Sequence, residues 1–540
     1  MKSIDCLFIG HNEMDFAQYE AGIRKMGSNS GAYRDLNLNF IRYNGIPYPA
    51  ADIFNLFYSP VPYKPLNMYT GVSSAIAYLG TYLDARGLTF DYVNSFRDEQ
   101  DELSRKLMEE DILTIAIITT FYISVFPILE VIEFIKRYNQ KAKIILGGPY
   151  VAAQVGTQDP RSLDYLFGSV IGADIYVDSS QGEATLVKLI YSLKNKSPLE
   201  AVNNIYYKTA GGYAATPLEK EDNRLAENMV KWHLFADRLG EHAAVRTSIS
   251  CPFSCAFCNF PEYAGKYQPV EAAVVERELE QLDSLKTVKS IHFIDDTFNV
   301  PVKRFKEILR MMIKNRNSFR WHSYFRCQYA DKEMVELMKE SGCEGVYLGL
   351  ESGSNQILTN MKKAVTVEEY VRGIELLNRY GIVTHGNFIL GFPGETQQTV
   401  EKTIHFIESS GIDFFRVQMW YCQHYTPIWR QRKTYNINGE SFAWSHATME
   451  SKTACDLIDQ LFLTIKNPTW MPQYNFDVVN FWHMIYRGID LKQVKDFLKA
   501  FNNGIKEKLM GGSDTGAGPE VIRQLKEALN GKNCISIQVE

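Results

Sequence analysis

The sequence predicts an α/β protein in three parts: a doubly wound parallel sheet, a partial barrel of six βα units, and a mostly helical tail. Three observations predict it. Short apolar runs that end at small or polar residues alternate with stretches of helical periodicity. This alternation occurs twice, over residues 1–195 and 242–421, on either side of a polar segment. Beyond Tyr421 the strand-like runs cease.

The first series begins with Cys6-Leu7-Phe8-Ile9, an apolar run stopping at Gly10. A long aromatic and polar stretch from His11 to about Tyr69 shows little helical periodicity. A helix is predicted from Ser73 to Asp84, then strands at Phe90 to Val93, Leu113 to Thr119, Lys143 to Leu146 and Ile175 to Val177. Helices from Pro127 to Tyr138 and from Glu183 to Leu193 separate them. Strands and helices alternating at this spacing imply a parallel sheet with right-handed crossovers. Residues 196–241, with Gly211-Gly212 and the charge cluster Glu219 to Asp222, read as a linker with a small hairpin. The second series places strands at Val245 to Ser248, Ser290 to Ile294, His322 to Phe325, Gly345 to Leu350, Val383 to Leu390 and Phe414 to Met419. Helices lie between them, as in the 3–4 spacing of Phe305, Ile308, Leu309 and Met312. Residues 422–540 form the tail.

The 540 residues, 45% hydrophobic and 22% charged, describe a globular chain. A net charge of −5 leaves no basic footprint, so nucleic acid is not an expected partner. No apolar run approaches the ~18 residues of a membrane span, and no signal peptide is apparent, so the expected location is cytoplasmic. Nine cysteines, an odd and scattered count, argue against a disulfide framework. Cys6, Cys327, Cys343, Cys422, Cys455 and Cys534 stand alone and read as small buried apolar residues.

The other three cysteines occur as Cys251-x3-Cys255-x2-Cys258, just after the first strand of the second series. Three thiolates on one loop can surround a soft metal centre. A structural zinc site asks for four protein ligands, and no fourth Cys or His follows at finger spacing. A [4Fe–4S] cube on three thiolates keeps one iron open, able to chelate the amino and carboxylate groups of a methionine moiety. The competing readings are three buried thiols or a zinc loop.

This motif, with Phe257 before its last cysteine, resembles the radical S-adenosylmethionine (SAM) superfamily. The likeness continues in His292-Phe293-Ile294-Asp295-Asp296-Thr297-Phe298, similar to the second-strand motif of the cobalamin-dependent branch. It continues in Gly349-Leu350-Glu351-Ser352-Gly353 and in Ile389 to Glu395, similar to the fourth- and fifth-strand motifs. The resemblance implies that Cys251, Cys255 and Cys258 hold the cluster. It further implies that Phe257, Asp296, Arg326, Glu351, Ser352, Gly353 and Gly391 bind SAM. Rival readings are an N-cap role for Asp295 and Asp296, an ion pair for Glu351, and ordinary turns at Gly391 and Gly394.

The first 195 residues resemble the Rossmann-like cobalamin-binding domain that precedes such barrels. A doubly wound sheet binds ligands across the carboxyl ends of its strands. Thr119-Thr120-Phe121-Tyr122, Gly147-Gly148-Pro149-Tyr150 and Gln181-Gly182-Glu183 fall there and are assigned to the corrin. A degenerate, ligand-free domain is the rival. No Asp-x-His-x-x-Gly motif is present; His11 is followed by Asn12-Glu13-Met14 and reads as a lone histidine. The aromatic tail, with Trp420 to Trp429 and Trp444 to Met449, resembles a subgroup around the phosphinate P-methyltransferases of phosphinothricin-type biosynthesis. The family resemblance therefore implies a cobalamin-dependent radical SAM methyltransferase. It would act on an unactivated carbon or a phosphinate phosphorus of a small-molecule or peptide substrate, fed by a flavodoxin- or ferredoxin-type reductant. A non-methylating cyclisation or rearrangement is the alternative.

Overall fold

The first apolar runs form a parallel sheet buried on both faces. Its strands are β1 (Ser3–His11), β2 (Phe90–Ser95), β3 (Asp111–Ile118), β4 (Lys143–Gly147) and β5 (Ile175–Val177). They pair in the order β2-β1-β3-β4-β5. Side chains alternate between two cores: Cys6 and Phe8 join the helices Ser74–Asp84 and Glu183–Asn195, while Leu7 and Ile9 join Gln100–Glu109 and Phe126–Tyr138. Burial on both sides is why these strands read as unbroken apolar runs. The order reverses between β1 and β3, which opens a crevice beyond their carboxyl ends. The chain is seen in a computed structural model that describes residues 2–58, 65–67, 71–474, 476, 478–511 and 516–529. Cys534 lies outside the described residues.

The hairpin expected in the linker is present as β6 (Ile205–Thr209) and β7 (Gly212–Ala215). It is not a separate unit: both strands pair antiparallel onto β5 and extend the first sheet, so that sheet runs past residue 195. The stretch after His11 also differs from expectation. It folds into helices Phe16–Arg24, Gly31–Asn37 and Ala50–Phe57 and a hairpin of Phe40–Tyr43 with Ile46–Pro49. Each helix has fewer than three full turns, too short for a 3.6-residue period to stand out among the aromatics.

The second series forms β8 (His242–Val245), β9 (Ser290–Phe293), β10 (Arg320–Phe325), β11 (Cys343–Glu351), β12 (Val383–Leu390) and β13 (Phe414–Met419). All are parallel and adjacent in chain order, as expected for a partial barrel. Helices lie outside, and Val302–Lys314 buries Phe305, Ile308, Leu309 and Met312 as its spacing predicts. The tail is mostly helical, as expected, with helices Ser451–Thr464, Val478–Tyr486, Leu491–Gly511 and Pro519–Leu529, but strands do not cease at Tyr421. Its β14 (Thr469–Trp470) adds a seventh parallel strand beside β13, and residues 438–450 form a small three-stranded sheet. Helix Val478–Tyr486 closes the amino-terminal mouth of the barrel. Trp482 stacks on His322 at 5.4 Å, Phe481 meets His385 edge-on at 4.7 Å, and His483 packs on His242 at 4.0 Å. Among the described residues no helix is long and apolar enough to cross a membrane.

Candidate functional site

The cysteine loop leaves β8 through Thr247 and is tied down at several points. Asp295, at the end of β9, accepts hydrogen bonds from Thr247 N (2.9 Å), Thr247 Oγ1 (2.8 Å) and Ser248 Oγ (2.6 Å). Asp295 is thus a buried brace, and Asp296 is the exposed member of the pair. Neither caps the following helix, whose N-cap is Pro301. The Ala256 amide donates to Met361 O at 2.8 Å, and Ile428 N of the tail donates to Ala256 O at 2.8 Å. The loop is therefore strapped to both the barrel and the tail.

The three thiols lie on one loop of eight residues, Cys255 buried and Cys251 and Cys258 half-buried. Burial pushes the Cys258 thiol up to about 11, and charge on Cys255, Asp296 or Cys251 pushes the same way. Three thiols on one short loop are the donor set a cluster on three sulfurs would use, and a cation among them would offset the cost of ionising the buried Cys258. Cys251 Sγ lies 3.5 Å from Thr297 Oγ1, and Arg326 Nη2 donates to Cys255 Sγ at 3.4 Å. Arg326 is stacked 3.5 Å over the Phe253 ring and donates through Nη1 to Lys363 O at 3.1 Å. The guanidinium expected to hold a cofactor carboxylate is thus packed against the cysteine loop itself.

Glu351 ends β11 at a bulge with φ of +64°, a conformation a non-glycine residue adopts only when its surroundings hold it. Lys363 holds it: Nζ donates to Glu351 Oε1 at 2.8 Å, with both side chains buried. The ion-pair reading of Glu351 is therefore realised at the carboxyl end of the barrel. The Lys363 ammonium also lies 5.6 Å from the Phe257 ring centroid. Replacing Lys363 by Met strands a buried carboxylate and should lower unfolding stability by about 3–5 kcal/mol in a denaturant titration; Lys363→Arg should recover most of it.

Ser352 and Gly353 turn away from this cluster. Both face helix Gln397–Ser409, Gly353 N donating to Thr403 Oγ1 at 3.0 Å. Gly391 follows β12 with φ of +91°, and a Cβ there would lie 2.5 Å from Trp444. His446 Nε2 sits 3.1 Å from Gly391 O, and Gly391 N donates to Glu395 Oε2 at 2.5 Å. Trp444 and His446 thus roof this loop from the tail, and Trp444 stacks on His446. Sequence reasoning missed Lys363 and His446. Lys363 had a signal in the demand of a buried Glu351 for a partner; His446 had none, because it comes from a distant strand.

Burial raises Glu395 from 4.5 to about 8. A carboxyl whose folded pKa is raised favours the folded state when protonated. That contribution is whole below about pH 4.5 and is lost as pH rises through about 8. Glu395→Gln should therefore flatten the fall in melting temperature between pH 5 and 8 relative to wild type.

At the crevice of the first sheet, Thr119, Gly147, Gly148 and Tyr150 stand side by side. Thr119 Oγ1 donates to Gly147 O at 2.8 Å, and Gly148 has φ of +114°. Phe121 is 57% exposed beside Thr120, and its ring lies 5.8 Å from that of His11. His11 thus reaches the crevice between β1 and β3, with burial pulling its pKa down to about 3. Gln181, Gly182 and Glu183 are engaged from the linker. Gln181 Oε1 accepts from Asn223 N, Asn223 Nδ2 donates to Glu183 Oε2 at 3.0 Å, and Glu221 caps the helix that begins at Glu183. Arg246 Nη2, just past β8, lies 4.0 Å from Glu183 Oε1 and links crevice to barrel.

Residues 245–407 match the family model described as the Radical SAM superfamily. The chain carries a radical SAM domain. It is 27% identical over 320 residues to an uncharacterized methyltransferase of Pyrococcus horikoshii, covering 57% of this chain and 66% of the relative. It is 30% identical over 286 residues to the bacteriochlorophyllide d C-12(1)-methyltransferase of Chlorobaculum tepidum, covering 52% of this chain and 57% of that one. It is 25% identical to the anaerobic magnesium-protoporphyrin IX monomethyl ester cyclase of Rubrivivax gelatinosus, over 61% of this chain and 60% of the relative. The chain thus spans 57–66% of the length of these curated relatives. In fold it is similar to the radical SAM methyltransferase TsrM from Kitasatospora setae, solved with cobalamin and a [4Fe–4S] cluster. The TM-score is 0.57 at 18% identity, over 85% of this chain and 97% of that one. The cobalamin-dependent radical enzyme OxsB gives 0.55 at 15% identity, over 85% and 76%.

Proposed function

We propose that the chain is a cobalamin-dependent radical SAM methyltransferase acting on an unactivated carbon or a phosphinate phosphorus. The observation that carries this is the pairing, in one chain, of a three-thiol loop at a barrel mouth with a doubly wound crevice joined to it through Arg246 and Glu183. In this reading Cys251, Cys255 and Cys258 hold a [4Fe–4S] cluster, and Phe257, Asp296, Arg326, Glu351 and Gly391 surround SAM. The loops at Thr119 to Tyr122, Gly147 to Tyr150 and Gln181 to Glu183 face cobalamin. When bound, these groups supply reductive cleavage of SAM to a carbon radical and a transferable methyl group.

The chain's own residues position and shield. Arg326 places a positive charge beside Cys255 without contributing a ligand. Lys363 fixes the direction of the Glu351 carboxylate. Phe253, Phe257 and Phe392 line the cysteine loop with rings, which keeps water from a reactive radical. A one-electron protein donor of the flavodoxin or ferredoxin type completes the system.

Anaerobic reconstitution with iron, sulfide and hydroxocobalamin tests the reading. Expected are a bound corrin spectrum, 5′-deoxyadenosine formed under reduction, and a product one methyl group heavier. A product of unchanged or lower mass would favour cyclisation, the activity in the name of one relative. Absence of 5′-deoxyadenosine would overturn both.

A further inference from the structure

Arg246 is the first residue past β8, and the fold fixes its backbone from both sides. Its amide donates to Tyr78 Oη at 3.2 Å, and Tyr78 Oη donates to its carbonyl at 3.3 Å. Tyr78 belongs to helix Ser74–Asp84, which packs on the first sheet. On the other side Thr247 is bonded through its amide and hydroxyl to Asp295, at the end of β9. Arg246 is thus a barrel residue clamped to the layer that covers the crevice sheet. Its guanidinium carbon lies 4.3 Å from the centroid of the Tyr78 ring, which holds the side chain in the seam between the two parts.

This guanidinium is hardly used by the protein. Nε is buried and has no hydrogen-bond partner. The ion pair with Glu183 spans 4.0 Å from Nη2 to Oε1, too long for a hydrogen bond. Arg304, close by, shows the contrast: its Nη2 donates to Thr247 O at 2.8 Å and to Thr247 Oγ1 at 2.7 Å. A guanidinium carries five N–H donors, and donors left unmade away from water cost stability. The Arg246 side chain keeps 29% of its surface exposed, so a ligand can reach the fork that lies beyond the sealed Nε. Its place gives that fork meaning. Glu183 closes the third crevice loop, while Cys251 opens the cysteine loop five residues after Arg246. Tyr263, just past the cysteines, straps the same seam by donating to Ser179 O at 3.0 Å. The charged neighbours that feel Arg246 are acidic, namely Glu183, Glu278 and Asp296. A further anion would be repelled there, and a neutral oxygen acceptor would not.

We infer that Arg246 binds cobalamin at its rim, donating from Nη1 and Nη2 to a carboxamide oxygen of the corrin. The inference rests on the cobalamin reading above and adds a binding residue that comes from the barrel instead of the crevice sheet. The corrin rim carries acetamide and propionamide arms, whose oxygens are neutral acceptors with two lone pairs each. Such an acceptor suits a planar fork set among carboxyl groups better than the phosphate of the nucleotide arm does. Because Arg246 is clamped to Tyr78 and leads into the cysteine loop, this contact ties the position of the corrin to that of the cluster.

The test is equilibrium dialysis of full-length, cluster-loaded protein against hydroxocobalamin and against cobinamide, which keeps the rim amides and lacks the nucleotide phosphate. Expected for Arg246→Met is an affinity loss of about 10- to 100-fold, alike for both corrins. Iron content, and the melting temperature measured without corrin, should stay as in wild type. Arg246→Lys keeps the charge beside Glu183 but not the fork, should fall between the two, and carries the test if the Met variant does not fold. A purely structural role predicts the reverse, a lower melting temperature without corrin and full corrin affinity below it; that result would overturn the inference. So would a loss confined to cobalamin, which would assign Arg246 to the phosphate, or weakened SAM binding with corrin affinity intact. Each of these leaves cobalamin binding by the wild type standing. A wild-type protein that takes up neither corrin would sink the cobalamin reading, and the inference with it.

Discussion

Replacing Cys255 by Ala is expected to lower reductive formation of 5′-deoxyadenosine at least about a thousandfold, the scale seen when one member of a catalytic unit is removed. Of the three thiols Cys255 is the most buried, and its sulfur is the one contacted by Arg326. Removing it leaves two sulfurs where a cube needs three, and it leaves the guanidinium facing a void. Iron and sulfide content per chain should fall with activity. Cys327→Ala is the matched control, since Cys327 is buried beside the site and burial pushes its thiol up to about 12. Cys327 lies outside the Cys251-x3-Cys255-x2-Cys258 loop, so iron content there should stay unchanged. If Cys255→Ala kept its iron while Cys327→Ala lost it, the ligand assignment would be wrong.

How much of this was legible beforehand depended on whether a signal was local. Strands β12 and β13 match their predicted limits because apolar residues recur at alternate positions in them, as at Phe388 and Leu390 and at Phe415, Val417 and Met419. The cysteine loop is a single local motif. Arg326 and Glu351 could be nominated from strand ends, but not their actual contacts. Whether Glu351 pairs with Lys363 depends on two loops meeting across the mouth of the barrel. The contacts of His292, His322 and His385 escaped notice for the same reason: one histidine in a strand is unremarkable, and only strand pairing sets His292 on His322 and Tyr347 on His385, each at 4.6 Å. The hairpin at β6 and β7 was seen but misplaced, since nothing in its own residues states which sheet edge it will extend. The short helices between residues 16 and 57 were hidden by length.

The second large effect is expected at Gly148, where Val should weaken cobalamin retention roughly 10- to 100-fold while leaving the cluster in place. Gly148 stands between the end of β4 and the helix that Pro149 opens, with φ of +114° and ψ of −169°. A side chain in that region costs about 1–3 kcal/mol on backbone strain alone, and about 1.4 kcal/mol is a factor of ten in binding. The steric effect adds to the strain. A Cβ would lie 2.8 Å from Thr119 Oγ1 and 3.3 Å from Thr119 N, pushing on the very residue that anchors the neighbouring loop through Gly147 O. One substitution therefore displaces two of the three loops assigned to the corrin. The cysteine loop, held by Asp295, Met361 and Ile428, has no contact with this corner among the bonds described above. Gly156→Ala in the same helix, where a Cβ meets nothing within 4 Å, serves as the neutral control. Corrin absorbance retained after gel filtration reads the result directly. If Gly148→Val holds cobalamin as wild type does, the corrin does not rest on the carboxyl ends of β3 and β4, and the crevice assignment falls.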